Sequence, residues 1–227
     1  MSTVQQNIPP LVAGDFLSRE EFLRRWEAMR KIKRAELIGG VVYMPSPVSL
    51  DHGAMEARVA AWLGVYMAYT PGCEACSNAT WLMLEEAPQP DTSLRLLPEV
   101  GGQSQVKGRF ASGAPEFLAE VCLSSTAYDL HQKLDLYQEA GVQEYLAVLM
   151  REHAVRWHRR VGNVFAVMPA PEDGIYLSDV FPGLWLDEPA LLAGDMARLL
   201  ATLQQGLNSA EHGSFVEKLA ARRKPGP

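Results

Sequence analysis

Cysteine, long apolar runs and positive charge are all scarce in this sequence. Three cysteines in 227 residues are few and odd in number, which argues against a disulfide framework and favours a reducing compartment. The apolar runs are far too short to cross a bilayer. Residues 1–8 carry neither a basic start nor an apolar signal core, so we expect a cytoplasmic protein without a membrane partner.

The charge balance is acidic, with 21 Lys and Arg against 27 Asp and Glu and a net charge of −6. Proteins that hold nucleic acid through its phosphates usually present a basic surface, so this balance counts against strong nonspecific DNA binding. Basic clusters at 24–25, 30–34 and 156–160 could contact phosphates locally, although solvated helix and hairpin faces explain them more simply. A site that binds a metal through carboxylates would also make the chain acidic.

The hydrophobic content of 48% is enough to bury one substantial core. We therefore expect a single domain over 1–208, followed by a C-terminal helix or tail, partly disordered, over 209–227. Capping residues and apolar spacing predict helices over 18–31, 49–69, 127–140 and 191–207. Apolar runs and turn residues predict strands over 36–38, 41–44, 81–84, 89–97, 117–123, 144–149, 155–160 and 164–168, and a loop over 101–113.

Glu120 is the most informative residue, because it interrupts the apolar run 117–123. Such a run is typical of a strand buried on both faces, and the order strand, helix, strand over 117–149 predicts a right-handed crossover with parallel strands. An unpaired carboxylate in such a strand costs several kcal/mol, so Glu120 must be neutral, paired with a cation or bound to a metal.

Lys133 is the second anomaly, because it lies on the apolar stripe of the following helix with Leu130, Leu134 and Tyr137. The stripe faces the sheet, and the crossover brings Lys133 near Glu120. On these two residues alone, a buried ion pair without chemistry is as reasonable as a functional site.

Asp91 adds a second carboxylate at the start of the strand after Gln89-Pro90, although alone it would be read as a turn or cap residue. Two carboxylates on adjacent strands can hold a magnesium or manganese ion, which activates a water molecule for phosphodiester hydrolysis. A lysine beside them can stabilise the negative charge that develops. Together they indicate a metal site with Asp91 and Glu120 as ligands.

Other reactive residue types form no convincing pattern. Cys73 and Cys76 have C-x-x-C spacing, but without a second pair a plain loop is the simpler reading. His52, at the start of the second helix, could reach the acidic site or a phosphate, whereas a surface position or one behind the site is simpler. The residues 124–126 are better read as a helix cap than as a nucleophile.

A set of short motifs recurs in order along most of the chain, at 36–40, 44–47, His52, 89–91, 114–121, 124–133, Tyr137, 140–145 and 180–186. With these motifs the chain resembles the Uma-two restriction endonuclease family of the PD-(D/E)XK superfamily. The chain departs from the family at Leu146 and at 149–150, where many members have tryptophan and aspartate, which leaves details of substrate choice open.

The resemblance implies an α/β restriction-endonuclease-like core, with a mixed central sheet flanked by helices. It implies Asp91 and Glu120 as metal ligands, Lys133 as the catalytic lysine and Glu36 as a further acid, although Glu36 alone would be an ordinary residue beside a turn. The superfamily usually places its lysine two residues after the glutamate, where this chain has Cys122.

The expected function is magnesium- or manganese-dependent endonuclease activity on nucleic acid, with DNA favoured over RNA. Two strands need two sites, so a homodimer is expected from the chemistry. The competing reading, from a different class, is a non-catalytic nucleic-acid or protein-binding module that retains the fold and an ion pair. The acidic charge and the lack of a zinc finger or helix-turn-helix favour it.

Overall fold

A computed structural model describes residues 8–29, 34–44, 47–122 and 128–223. The α-helices in this part of the chain are α1 (Arg19–Ala28), α2 (Leu50–Tyr69), α3 (Tyr128–Ala140), α4 (Glu188–Ala193), α5 (Met196–Leu207) and α6 (Ala210–Arg222). The strands are β1 (Glu36–Ile38), β2 (Val41–Tyr43), β3 (Cys73–Ser77), β4 (Trp81–Leu82), β5 (Thr92–Leu96), β6 (Gln105–Lys107), β7 (Phe110–Ser112), β8 (Phe117–Cys122), β9 (Glu144–Leu149), β10 (Ala154–Val161), β11 (Val164–Val167), β12 (Ile175–Leu177) and β13 (Trp185–Asp187).

A six-stranded mixed sheet in the order β11-β10-β9-β8-β5-β3 forms the centre of the molecule. The pair β8 and β9 is parallel, as the crossover through α3 requires, and the other neighbouring pairs are antiparallel. β8 and β9 are buried along nearly their whole length, which explains their apolar sequences. Glu120 therefore lies in the middle of the sheet.

The two faces of the sheet are covered by different helices. Phe117, Ala119 and Val121 alternate along β8 toward a core that includes Met55, Val59 and Trp62 of α2. Leu118 lies in a second cluster with Leu136 and Tyr137 of α3. Since Glu120 has the parity of Leu118, its side chain belongs to the α3 face.

The loop between β5 and β8 is fastened by a buried carboxylate. Glu116 accepts hydrogen bonds from the backbone nitrogens of Leu96 (2.8 Å) and Gln103 (2.9 Å). Burial raises the pKa of Glu116, while these two N–H donors oppose the rise. These contacts fix where β8 starts and therefore the position of Glu120 along the strand.

Several sequence predictions were wrong in detail. The strand predicted at 81–84 ends at Leu82, and Leu84 turns the chain with a φ of 50°. The loop predicted at 101–113 contains the hairpin β6–β7, whose short strands carry too few apolar residues to be recognised.

The predicted start of α2 is confirmed, because Ser49 caps the backbone nitrogen of His52. The first helix, predicted to run to 31, ends at Ala28 with Met29 as its C-cap. The cap predicted at 124–126 falls outside the described residues.

The helix predicted over 191–207 is two helices. Gly194, at a φ of 75°, ends α4 after six residues, and Asp195 then caps α5. The chain continues as α6, and its Leu219 is buried in the same core as α2. His212 of α6 also lies 3.0 Å from the hydroxyl of the buried Thr70. The division at 208 remains a prediction, although α6 packs on the domain.

α5 packs so closely on the turn at 183–185 that Gly206 has no room for a side chain. A Cβ at Gly206 would lie 2.3 Å from the carbonyl oxygen of Gly183, whereas Gly213 of α6 has open space around it. We expect Gly206→Ala to destabilise the fold by about 1–3 kcal/mol through this clash. Gly213→Ala should stabilise it by about 0.5–1 kcal/mol, because alanine is the better helix former. Urea unfolding of both variants measures the difference, and equal midpoints would contradict the close packing of α5.

Candidate functional site

The register between β5 and β8 places two carboxylates opposite each other. Thr92 pairs with Ala119, so the antiparallel register continues to Asp91 and Glu120 just beyond the last paired residues. Opposite residues on antiparallel strands have neighbouring side chains. Asp91 lies in a bend and its carboxylate Oδ2 accepts a hydrogen bond from the backbone nitrogen of Val121 at 2.8 Å. The bend is thereby fastened to the strand that carries Glu120.

Glu120 is only 6% exposed and shares one oxygen between two donors. Its Oε1 lies 2.9 Å from Lys133 Nζ and 2.6 Å from the hydroxyl of Tyr137. Burial raises the pKa of Glu120, and the Lys133 ammonium opposes the rise. Both donors come from α3 at positions i and i+4, which is the face of the helix that meets the sheet.

Lys133 lies between two acids. Its Nζ is 3.2 Å from Glu36 Oε1 as well as 2.9 Å from Glu120 Oε1, and its side chain is 18% exposed. Burial by itself lowers the pKa of Lys133, but the Glu120 and Glu36 carboxylates outweigh that effect and raise it. The lysine is therefore a fixed positive charge at neutral pH.

Glu36 reaches this site from the hairpin β1–β2. Its Oε1 also accepts a hydrogen bond from the backbone nitrogen of Gln89 at 2.7 Å, and Leu37 forms backbone hydrogen bonds with Ala87. These contacts hold the hairpin against the segment that leads to Asp91. The structure thus brings Glu36, Glu120 and Lys133 into direct contact, with Asp91 beside them.

Asp91 has its own neighbours on the other side. His52 Nε2 lies 3.6 Å from Asp91 Oδ2, and the two side chains are 16% and 14% exposed. Burial raises the pKa of Asp91, whereas the Val121 N–H and Lys133 lower it. His52, for which a surface position or one behind the site was the simpler expectation, thus lies beside Asp91.

Glu56 is the acid that sequence reasoning missed. It follows His52 by four residues on α2, so the two side chains share a helix face. One ligand atom from each of His52, Glu56 and Asp91 lies within 4.8 Å of the others. Asn78 donates a short hydrogen bond to Glu56, and Arg34 lies 3.9 Å from it. The spacing His-x-x-x-Glu on a helix was the available signal, but it became informative only once Asp91 was placed beside it.

The donor set suits a hard divalent cation. Asp91 and Glu120 offer carboxylate oxygens from adjacent strands, and oxygen is the ligand type that magnesium and manganese prefer. Both carboxylates have raised pKa values because they are buried, and a bound cation would relieve that cost of burying charge. The residues present therefore fit such an ion.

The cysteine pair and the arginines of two predicted basic clusters lie outside the acidic site. Cys73 and Cys76 belong to the edge strand β3, not to a loop, and an i, i+3 pair on a strand faces opposite sides. Arg24 and Arg25 pair with Glu21 on α1, which agrees with a solvated helix face. Arg159 contacts Asp179, and Arg160 donates to a carbonyl oxygen. Both guanidinium groups therefore already have partners within the protein.

Comparison with known proteins identifies the fold of this chain and its family. The structure resembles a solved protein from Anabaena variabilis described as a "putative nuclease belonging to DUF820", with a TM-score of 0.58 and 14% sequence identity over 82% of this chain and 99% of that one. The fold is thus a mixed α/β fold, with a large mixed sheet flanked by helices, that is shared with the solved protein. Residues 19–189 match the model of the Uma2 family, described as "Putative restriction endonuclease", and the chain belongs to this family. No curated protein sequence matches it. Among the described residues, no helix has both the length and the hydrophobicity needed to span a membrane.

Tyr137→Phe tests whether the phenol stabilises the buried glutamate. The substitution removes the 2.6 Å hydrogen bond to Glu120 without changing the packing of the ring. We expect a loss of about 1.5–3 kcal/mol in the free energy of unfolding, the range for hydrogen bonds to charged groups. Urea unfolding without divalent ions measures it, with Tyr69→Phe, at a largely exposed tyrosine of α2, as the matched control. Equal midpoints for both variants would refute the contact.

Cys73 should be chemically inert in the folded protein. Burial raises the pKa of its thiol to about 12, which leaves almost no thiolate at pH 8. We expect iodoacetamide to label Cys73 only after unfolding, as read by peptide mass spectrometry, with protein in urea as the positive control. Rapid labelling of native Cys73 would reopen the redox reading of the cysteine pair.

Proposed function

We propose that this protein is a divalent-metal-dependent endonuclease that hydrolyses phosphodiester bonds of DNA. The observation that carries the proposal is the convergence of Glu120, Lys133 and Glu36 beside Asp91, inside a fold shared with a nuclease-like protein. Buried acids and an amine that lie together and have shifted pKa values are typical of functional sites.

The residues divide the work of hydrolysis between them. Asp91 and Glu120 would hold a magnesium or manganese ion, which supplies Lewis-acid polarisation of the phosphate and a bound water of lowered pKa. Lys133 carries a permanent positive charge where the phosphorane charge would develop. Glu36 is a second partner of the lysine, so the amine keeps an ion pair when Glu120 engages a cation. Tyr137 fixes Oε1 of Glu120 and so limits the rotation of that carboxylate.

DNA is proposed as the polymer because the family description refers to restriction endonucleases. The net charge of −6 implies that binding would depend on the cation and on local contacts more than on a broad basic surface. Binding should therefore depend only weakly on salt concentration, since few phosphate contacts release few counterions.

A non-catalytic binding module is the second candidate, and one observation favours it. Lys133 is paired with both Glu36 and Glu120, so the amine and each of these carboxylates already have a partner of opposite charge. Such a cluster can act as a structural ion-pair network alone. The two candidates differ in whether the cluster binds a divalent ion and turns over a phosphodiester.

Cleavage of DNA by Lys133→Gln separates these candidates. The variant keeps a hydrogen-bond donor but loses the charge, so we expect nicking of plasmid DNA with Mn²⁺ to fall by about 100-fold or more. Lys218→Gln, at an exposed lysine of α6, is the matched control and should keep full activity. Linear single strands and RNA, tested in parallel, report the choice of polymer.

Calorimetry with Mg²⁺ and Mn²⁺ on the wild type and on Asp91→Asn gives the independent measurement. Asparagine can still accept the hydrogen bond from Val121 but carries no charge, so we expect cation binding to weaken without unfolding. A wild type that binds neither ion would favour the binding module over the enzyme. Undiminished cleavage by Lys133→Gln would instead show that the activity belongs to a contaminant or to a different site.

A further inference from the structure

His52 and Glu56 lie on consecutive turns at the N-terminal end of α2, and both side chains approach Asp91. Nε2 of His52 is 3.6 Å from Asp91 Oδ2, and one ligand atom of each of the three residues lies within 4.8 Å of the others. Ser49 caps the backbone of α2 directly before His52, which fixes the first turn of the helix. The positions of His52 and Glu56 are therefore set by a regular helix, and Asp91 meets them from the bend before β5.

Two carboxylates in this cluster are largely shielded from water. The side chains of Glu56 and Asp91 are 16% and 14% exposed, and like charges at this distance repel each other. Arg34 relieves Glu56 only weakly, because its Nη2 is 3.9 Å away and its side chain is 36% exposed. A cation between Glu56, Asp91 and the His52 imidazole would satisfy all three groups.

This cluster is on the opposite side of Asp91 from the lysine. Residues of α2 pack with Val121 and Ala119, whereas Glu120 meets Lys133 and Tyr137 of α3 on the other face of the sheet. Asp91, in the bend before β5, is the residue that neighbours both groups. An ion held by His52 and Glu56 would thus be separate from one held by Glu120.

We infer that His52, Glu56 and Asp91 form a divalent-cation position of their own, which takes a transition-metal ion such as Mn²⁺ in preference to Mg²⁺. The inference rests on the proposed function only in that Asp91 is shared. Imidazole nitrogen is a ligand for transition metals, whereas Mg²⁺ requires hard oxygen ligands. Mn²⁺ is the suitable probe because it also accepts the two carboxylates of the cluster.

Mn²⁺ titration of the purified protein, followed by calorimetry and by electron paramagnetic resonance, tests this position. We expect the wild type to bind Mn²⁺ at least about tenfold more tightly than Mg²⁺, with nitrogen coupling from one imidazole in the pulsed spectrum. His52→Ala and Glu56→Gln should each weaken Mn²⁺ binding by about tenfold or more, the scale on which even outer partners of a metal act. His52→Ala should also abolish the nitrogen coupling. Glu120→Gln should leave this ion bound.

Two variants serve as matched controls. His131→Ala removes an exposed histidine of α3, and Asp51→Asn removes an exposed acid adjacent to His52 on α2. Both should bind Mn²⁺ as the wild type does, and thermal unfolding of every metal-free variant confirms that it is folded.

The outcomes separate this inference from the nuclease proposal. Mn²⁺ binding that depends on Glu120 and Asp91 but is unchanged in His52→Ala and Glu56→Gln overturns the inference and leaves the nuclease proposal supported. Mn²⁺ binding that requires His52 and Glu56, in a protein that cleaves no nucleic acid, supports the inference and rejects the nuclease. A wild type that binds no Mn²⁺ overturns both.

Discussion

The burial of Glu120 in the central strand is the constraint on which the rest of the site depends. A carboxylate at 6% exposure in an apolar strand costs several kcal/mol unless a partner compensates. Lys133 supplies the charge and Tyr137 a hydrogen bond, both to the same oxygen. Because both partners come from the helix that follows β8, the crossover connection itself provides the compensation.

Lys133 connects the buried Glu120 to the N-terminal part of the chain. Its second contact is Glu36, which is in turn bound by the backbone of Gln89 two residues before Asp91. A closed set of contacts thus joins β1, the segment before β5, β8 and α3. The site is assembled from segments that are distant in sequence but rigidly connected, which is what a preorganised electrostatic site requires.

Asp91 joins this set to α2. Its position in a bend, outside the regular ladder, lets it contact Val121 of β8 and approach His52 of α2. A residue in a regular strand would face one side of the sheet only. The bend at Asp91 is therefore the local feature that allows acids from both faces of the sheet to meet.

The sequence by itself determined the parallel β8-α3-β9 unit and the anomaly of Glu120 and Lys133, because apolar periodicity and a charge that interrupts it can be read from a single chain. The family was indicated separately, by the resemblance of its motifs. Only the tertiary structure decided that Glu36 meets the lysine, that Glu56 joins His52 and Asp91, that the Cys73 pair lies on a strand, and that the last helix is divided at Gly194. The physical reason is that these features depend on contacts between segments far apart in sequence, or on strands too short to show a period. A local pattern indicates that a buried charge needs a partner, but which residue pairs with it depends on the tertiary fold.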